Sequence, residues 1–428
     1  MFKNHIELTG TLTVLSPLHL GSGVQEPHED ILANTGDGED KPVQLSWVQR
    51  DGDENPYIPS TSIKGALRTS LTDKGQQQRV FGAVDHKTGD HKAGVMGRLW
   101  IYGAVLLKAG PAEGLAHHGK KRLDKTYVVA RTRIDRESGT AADHMLFHTE
   151  MVPVETTFGF RAKWLTNAGL ETVTDDLNDV ATALAPLLAD TGLALGRGGR
   201  QGLGRVRLAL ESAQWVPWDG EPSLLDLPTV AVSQPGEPIR LTLSCRGPYL
   251  SVDSSQKQQQ KDGAPDNVLS PLKDAKDKPV LSGSSLLGVL RARAAWLDGG
   301  KDEPGKVYLS SDPLTATERL FGVTGWRGLL EVESITVAEC KSHRFPSVKI
   351  DRFSAAPIEG ALFFVDAFIN PRFDVVLRFR PRGEEAEAVK SLLDTLLTDI
   401  KDMGLMLGHG GGRGFGWFTV KDAEEPNA

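Results

Sequence analysis

The sequence predicts an α+β chain that repeats one small unit twice. The run Leu193-Ala194-Leu195-Gly196-Arg197-Gly198-Gly199-Arg200-Gln201-Gly202-Leu203-Gly204-Arg205-Val206 returns as Leu405-Met406-Leu407-Gly408-His409-Gly410-Gly411-Gly412-Arg413-Gly414-Phe415-Gly416-Trp417-Phe418, with five glycines in register. Three further pieces recur in the same order. Ser60 to Arg68 matches Gly283 to Arg291, and Arg79-Val80-Phe81-Gly82 matches Arg319-Leu320-Phe321-Gly322. Ile134-Asp135-Arg136, followed by Leu146-Phe147, matches Ile350-Asp351-Arg352 with Leu362-Phe363. Collinear self-similarity of this kind marks a duplicated structural unit.

Each copy then spells the same element order. Ile6, Leu8, Gly10, Leu12 and Val14 alternate with polar residues, the period of a half-buried strand. Gly21-Ser22-Gly23 ends that pattern, and the polar, acidic stretch from Val24 to Asn55 reads as a long loop. Ser60 and Ser62 are expected to cap a helix carrying Ile63, Ala66, Leu67, Ser70 and Leu71 on one face. Strands follow, interrupted by a basic insertion, His117-His118-Gly119-Lys120-Lys121-Arg122. A second helix, Asp175 to Leu188, sets Leu177, Val180, Ala181 and Leu184 at helical spacing until Pro186 disturbs it. Its counterpart repeats Val389, Leu392, Leu393, Leu396, Leu397 and Ile400, a core stripe. Strand, helix, strands, helix, glycine loop, strand is the order of a ferredoxin-like (RRM-like, βαββαβ) unit with an enlarged middle. The expected boundaries are 1–215 for the first module, 216–237 for a proline-rich acidic linker, 238–421 for the second module and 422–428 for a tail.

Composition narrows the function classes. The 428 residues are 39% hydrophobic and 25% charged, ordinary for a globular protein. No apolar run approaches a membrane span, and the first residues lack the apolar centre of a signal peptide, so a cytoplasmic location is expected. Two cysteines, Cys245 and Cys340, cannot supply a disulfide framework or a cysteine metal cluster. His86 with His91 and His144 with His148 lack the partners and spacing of a zinc site. A net charge of −7 argues against a free-standing nucleic-acid binder, although a local basic groove can decide binding.

The glycine run carries the chemical question. A dinucleotide fingerprint puts its glycines after a strand and before a helix, whereas these follow a helix and precede a strand. A phosphate-binding P-loop ends in Gly-Lys-Ser/Thr, which neither copy has. Two readings stay open: a tight crossover that lets the last strand pack closely, and a loop gripping a nucleic-acid backbone. Arg197, Arg200, Arg205 and Arg207 favour the second in one copy, His409 and Arg413 in the other. Asp135 and Asp351 are expected to form buried structural ion pairs with their neighbouring arginines.

Taken together, Ser16-Pro17-Leu18-His19-Leu20-Gly21-Ser22-Gly23, the segment Pro56 to Arg68 and the glycine loops resemble the RAMP superfamily of CRISPR-associated proteins. The stretch Arg133 to Ala141 with Met145-Leu146-Phe147 is similar to the Cas-seven-type backbone subunits of type III effectors, the Csm and Cmr branch. The fused pair resembles the double-backbone subunit of type III-D variants. The resemblance implies a filament along a guide RNA, with a β-hairpin thumb from each module wedged between bases of the guide–target duplex. Partners would be crRNA, target RNA and other type III effector subunits, with no membrane. Phosphate contacts would fix register while base pairing supplies specificity.

By the same resemblance, the first module would line RNA with His19, Ser62, Lys64, Arg68, Arg136, Arg197, Gly198, Gly199 and Arg200. The second would use Ser285, Arg291, Arg352, His409, Gly410, Gly411 and Arg413, with Leu287 standing where the first has Lys64. Active relatives cut target RNA with a loop aspartate and Mg²⁺ (or Mn²⁺). Asp40, in Asp40-Lys41-Pro42-Val43, is the first-module candidate for catalysis and metal binding, with Asp30 and Asp37 as rivals. Asp266, with Asp262 as rival, is the candidate in the second. Two other functions compete with a metal-dependent endoribonuclease: a non-catalytic structural crRNA-binding subunit, and a metal-independent crRNA-processing ribonuclease using histidine.

Overall fold

A computed structural model describes residues 2–34, 40–83, 94–135, 141–230, 236–252, 268–299, 307–309, 313–338, 340–381 and 386–423. They form two compact units. The first comprises 1–129, 147–199 and 203–234; the second comprises 130–146, 200–202 and 235–428.

The first unit contains β1 (Asn4–Val14), β2 (Gly21–Asn34), β3 (Asp40–Val48), α1 (Ser60–Ser70), α2 (Lys74–Phe81), β4 (Leu99–Ile101) and β5 (Val105–Lys108). It continues through parts of β6 (Tyr127–Ile134) and β7 (Ala141–Met151) to β8 (Thr157–Thr166), α3 (Thr174–Leu188) and β9 (Arg205–Val216). Strand β1 is central: it pairs antiparallel with β9 on one side and β8 on the other, and β8 pairs with β4 and β5. Ile6, Leu8, Leu12 and Val14 bury one face of β1 in a core with Phe158 and Trp164. Ile63 and Leu67 of α1, and Val180 and Leu184 of α3, pack into the same core.

The second unit contains β10 (Glu237–Cys245), α4 (Gly283–Leu297), α5 (Ala316–Phe321), β11 (Leu330–Val337), β12 (Lys341–Ile350), β13 (Pro357–Ile369), β14 (Arg372–Phe379), α6 (Ala386–Met403) and β15 (Trp417–Asp422). Its sheet runs β15-β10-β14-β11, as the first runs β9-β1-β8-β4. The repeated Arg-x-Phe-Gly is the end of a short helix. Gly82 (φ 81°) and Gly322 (φ 84°) stop α2 and α5 in the left-handed region, where a side chain is strained.

Several expectations need correction. The stretch from Val24 to Asn55 is largely an antiparallel hairpin, β2 with β3, not a loop. Helix α1 is capped by Pro59, with no side-chain cap from Ser60 or Ser62; in α4, Ser282 does cap, accepting from the Ser285 N–H at 3.2 Å. Helix α3 continues through Pro186 to Leu188, although the proline cannot donate to the carbonyl one turn before it. In the stretch read as linker, Ser223–Leu224 pairs with β9, and Leu225 and Leu227 pack on the first core.

Asp351 is no buried ion pair. Its exposed carboxylate accepts from the N–H groups of Phe353 (3.0 Å) and Ser354 (2.7 Å) and from the Ser354 hydroxyl (3.0 Å). These hydrogen bonds, the Ser354 N–H first, hold its pKa below the usual carboxylate range. They cap the turn joining β12 to β13 and leave Phe353 fully exposed at its tip. Asp135 is likewise exposed.

Candidate nucleic-acid interface

In each unit the glycine loop is fixed by the same set of backbone hydrogen bonds. In the first, the Leu195 N–H donates to Gly204 O (2.8 Å), Gly204 N–H to Pro17 O (2.9 Å), and Arg197 N–H to His19 O (3.0 Å). In the second, Leu407 N–H donates to Gly416 O (2.9 Å), Gly416 N–H to Pro248 O (2.8 Å), and His409 N–H to Leu250 O (2.7 Å). Four of the five repeated glycine pairs have positive φ in both copies: 196/408, 198/410, 202/414 and 204/416. The need is sharpest at Gly204 and Gly416, where a Cβ would lie 2.0 and 1.9 Å from the carbonyl oxygens of Leu195 and Leu407. The crossover reading therefore explains most of the glycines. It leaves the outward face of the loop to be explained.

The first loop exposes Arg197, with no ion-pair partner among the described residues. Its other arginines are committed elsewhere. Arg205 is buried and donates to Gly192 O at 3.2 Å, and Arg207 pairs with Asp190 at 3.2 Å. Arg200 departs most from the RNA-facing expectation. Within the second unit its guanidinium donates to the carbonyls of Phe321 (2.9 Å) and Leu330 (2.6 Å), and its own carbonyl accepts from Val332 N–H (2.8 Å). Burial and the nearby Arg327 charge pull its pKa down to about 10.

The second loop faces outward with different chemistry. Arg413 donates to His409 Nε2 at 3.3 Å, so that nitrogen is unprotonated; burial, then the Arg413 charge, lowers the His409 pKa. The Arg413 guanidinium lies 5.7 Å from the Phe363 ring, and Phe415 lies 5.7 Å from Phe345, which meets His343 edge-on at 4.8 Å. Basic groups thus interleave with half-buried aromatic rings on β12, β13 and the loop. This is the composition that single-stranded nucleic acid uses for backbone contact and base stacking.

The two equivalent helices differ. Lys64 and Arg68 sit one turn apart on α1, off the face buried by Ile63 and Leu67, with Arg68 exposed and Ser62 and Lys64 half-buried. On α4, Leu287 packs against the core, Ser285 is exposed, and Arg291 donates to Gly322 O at 2.8 Å. Both helices carry an exposed interior glycine, Gly65 and Gly288, with no described atom within 4 Å of where a Cβ would stand. A helix-interior glycine costs about 0.5–1 kcal/mol relative to alanine, and neither backbone turn nor neighbouring atom requires one here. The space is open to an external chain.

The remaining candidates are placed as follows. His19 is buried, with Nδ1 2.8 Å from the Glu150 carbonyl. Gly198, Gly199, Gly410 and Gly411 line their loops half-buried. Arg352 sits beside Phe353 at the β12–β13 tip. Asp40 opens β3 with its backbone paired to Asn34, and Asp30 is exposed on β2. Arg136, Asp37, Asp262, Asp266, His86 and His91 lie outside the described residues. Among the described residues no three His, Cys, Asp or Glu side chains converge on one point. Sequence reasoning missed Phe353, the aromatic strip and the open glycines. Phe353 directly follows the repeated Ile-Asp-Arg, a signal that was available.

The RAMP superfamily profile matches residues 11–207 and 259–419, a span that includes both glycine loops. The chain belongs to the RAMP superfamily. Membership points to a CRISPR-associated RNA-binding subunit. No curated protein matches the chain significantly. No described helix is long and apolar enough to cross a membrane.

Proposed function

We propose that the chain is a two-module backbone subunit of a type III CRISPR effector, of the type III-D double-backbone kind, that binds crRNA along both units. Each unit is read as a ferredoxin-like module, supported by the shared sheet order around β1 and β10. The carrying observation is that the two family-matched regions hold one glycine-loop geometry, built twice. The hairpin β12–β13 serves as a thumb, with Phe353 as the wedge between bases, since an exposed ring at a capped tip stacks on any base.

Target RNA is cut, in this reading, near the β2–β3 hairpin of the first unit. Mg²⁺ (or Mn²⁺) needs only one or two protein carboxylates when substrate phosphates complete its shell. Asp40 is the residue to hold it, Asp30 the alternative; the metal would stabilise charge on the phosphate under attack. Asp40→Ala should remove one EDTA-sensitive cut from end-labelled target RNA in the reconstituted complex and leave guide binding intact. An unchanged ladder removes Asp40 from the chemistry.

RNA binding has its own test. The pair Lys64→Ala with Arg68→Ala should reduce the salt dependence of RNA binding by about 1.4 in log–log slope, as two lost phosphate contacts on a single strand require. Leu287→Ala should change stability and leave that slope alone, because the leucine carries no charge. Equal slope changes would contradict the asymmetry between the units.

A further inference from the structure

The basic insertion between β5 and β6 is unused by that reading, and the first unit holds it firmly. Leu123 is buried with Ile31, Val43, Leu45, Trp47 and Val128. The tip is a turn closed by Gly119 N–H to Leu123 O (3.0 Å) and Leu123 N–H to Lys120 O (2.8 Å). His28, whose Nδ1 accepts from Asp30 N–H, turns its other ring nitrogen to the Lys121 carbonyl at 3.0 Å. The Arg122 guanidinium stacks 4.5 Å over Trp47 and pairs with Glu54 at 3.1 Å.

The strongest anchor is charged and buried. Arg50 pairs with Glu150, whose side chain has no solvent exposure, and donates to the carbonyls of Arg122 (2.7 Å) and Glu54 (2.5 Å). Glu150 also accepts from Val48 N–H (2.8 Å) and the Thr126 hydroxyl (2.7 Å). Its backbone carbonyl meets His19, whose own carbonyl receives Arg197 of the glycine loop. One hydrogen-bonded path therefore joins the insertion to the glycine loop.

That path leaves Lys120 and Lys121 exposed at the tip, without an ion-pair partner among the described residues. Among the described residues the second unit shows no equivalent: β11 and β12 are joined by only residues 338–340. Two adjacent exposed cations, on an insertion hydrogen-bonded through Arg50, Glu150 and His19 to the glycine loop of a chain of net charge −7, suit a polyanion rather than solvent alone.

Resting on the proposed RNA-binding role, we infer that Lys120 and Lys121 form a second phosphodiester contact, peculiar to the first unit. The test uses the full chain in its reconstituted complex with a fluorescein-labelled single-stranded RNA, and the same RNA annealed to its complement, by anisotropy across a salt series. Lys120→Ala with Lys121→Ala should lower the single-strand slope by about 1.4, and Lys120→Arg with Lys121→Arg should restore it. Thermal unfolding should not move, because both side chains are exposed. Loss on both probes assigns the contact to the guide strand; loss on the duplex alone assigns it to the paired target. Wild-type binding with an unaltered slope in the double variant on both probes overturns the inference and spares the RNA-binding role. Absence of salt-dependent RNA binding by the wild type overturns the role itself.

Discussion

Gly204→Ala and Gly416→Ala should each destabilise their unit by roughly 3–5 kcal/mol, the largest effects available in the two loops. Two costs combine. Both positions have left-handed φ, 72° and 74°, where an L side chain costs about 1–2 kcal/mol. The added methyl would also stand 2.0 or 1.9 Å from a backbone carbonyl oxygen, which cannot move without breaking the loop's hydrogen bonds. Gly411→Ala is the internal control. It has ordinary φ, and its Cβ would meet the Met406 thioether at 3.1 Å, the far part of a flexible side chain. Its cost should stay below about 1 kcal/mol. Denaturant unfolding of the three variants separates these outcomes. A mild Gly416→Ala would mean that the loop relaxes in a way this backbone does not permit.

Glu150→Ala should cost about 3–5 kcal/mol, because it strands the Arg50 guanidinium in a buried site. Val48 N–H and the Thr126 hydroxyl lose their acceptor as well. The same variant should free the insertion, seen as faster amide exchange around Lys120 to Leu123. Arg50→Ala should do likewise through a different atom, since the Arg122 carbonyl loses its donor. Burial raises the Glu150 pKa, against the opposing pull of Arg50 and three hydrogen bonds. A folded value above the unfolded one means that the folded state binds the proton more tightly. Stability from this group therefore falls as pH rises from the unfolded carboxylate range through the raised folded value. Glu150→Gln should abolish that dependence.

Much of this was legible in the residues. The duplicated glycine run identified the loops, and the leucine stripes of α3 and α6 are buried as their spacing requires. The β2–β3 hairpin was not legible, because its pairing is interrupted between Gly21 and Gln25 and again between His28 and Leu32. Those irregularities break the alternation that would have revealed strands. Arg200 misleads for another reason. It stands in a basic run, yet the informative residues are distant glycines: a Cβ on Gly328 would lie 2.4 Å from its guanidinium, and one on Gly283 would lie 2.1 Å from Gln201 O. A charge run read alone shows no tertiary partner. Asp351 illustrates the same limit locally, since a turn-capping aspartate and an ion-paired one look alike beside an arginine.

The central claim is that both units hold RNA at the outward face of the glycine loop. Crosslinking RNA to the full chain by ultraviolet light within its native complex, then locating adducts by mass spectrometry, tests it most directly. Adducts should fall in two clusters: around Arg197 with α1, and on His409 to Phe415 with Phe345 and Phe363. Adducts confined to one unit, or absent from both loops while RNA is demonstrably bound, would contradict it.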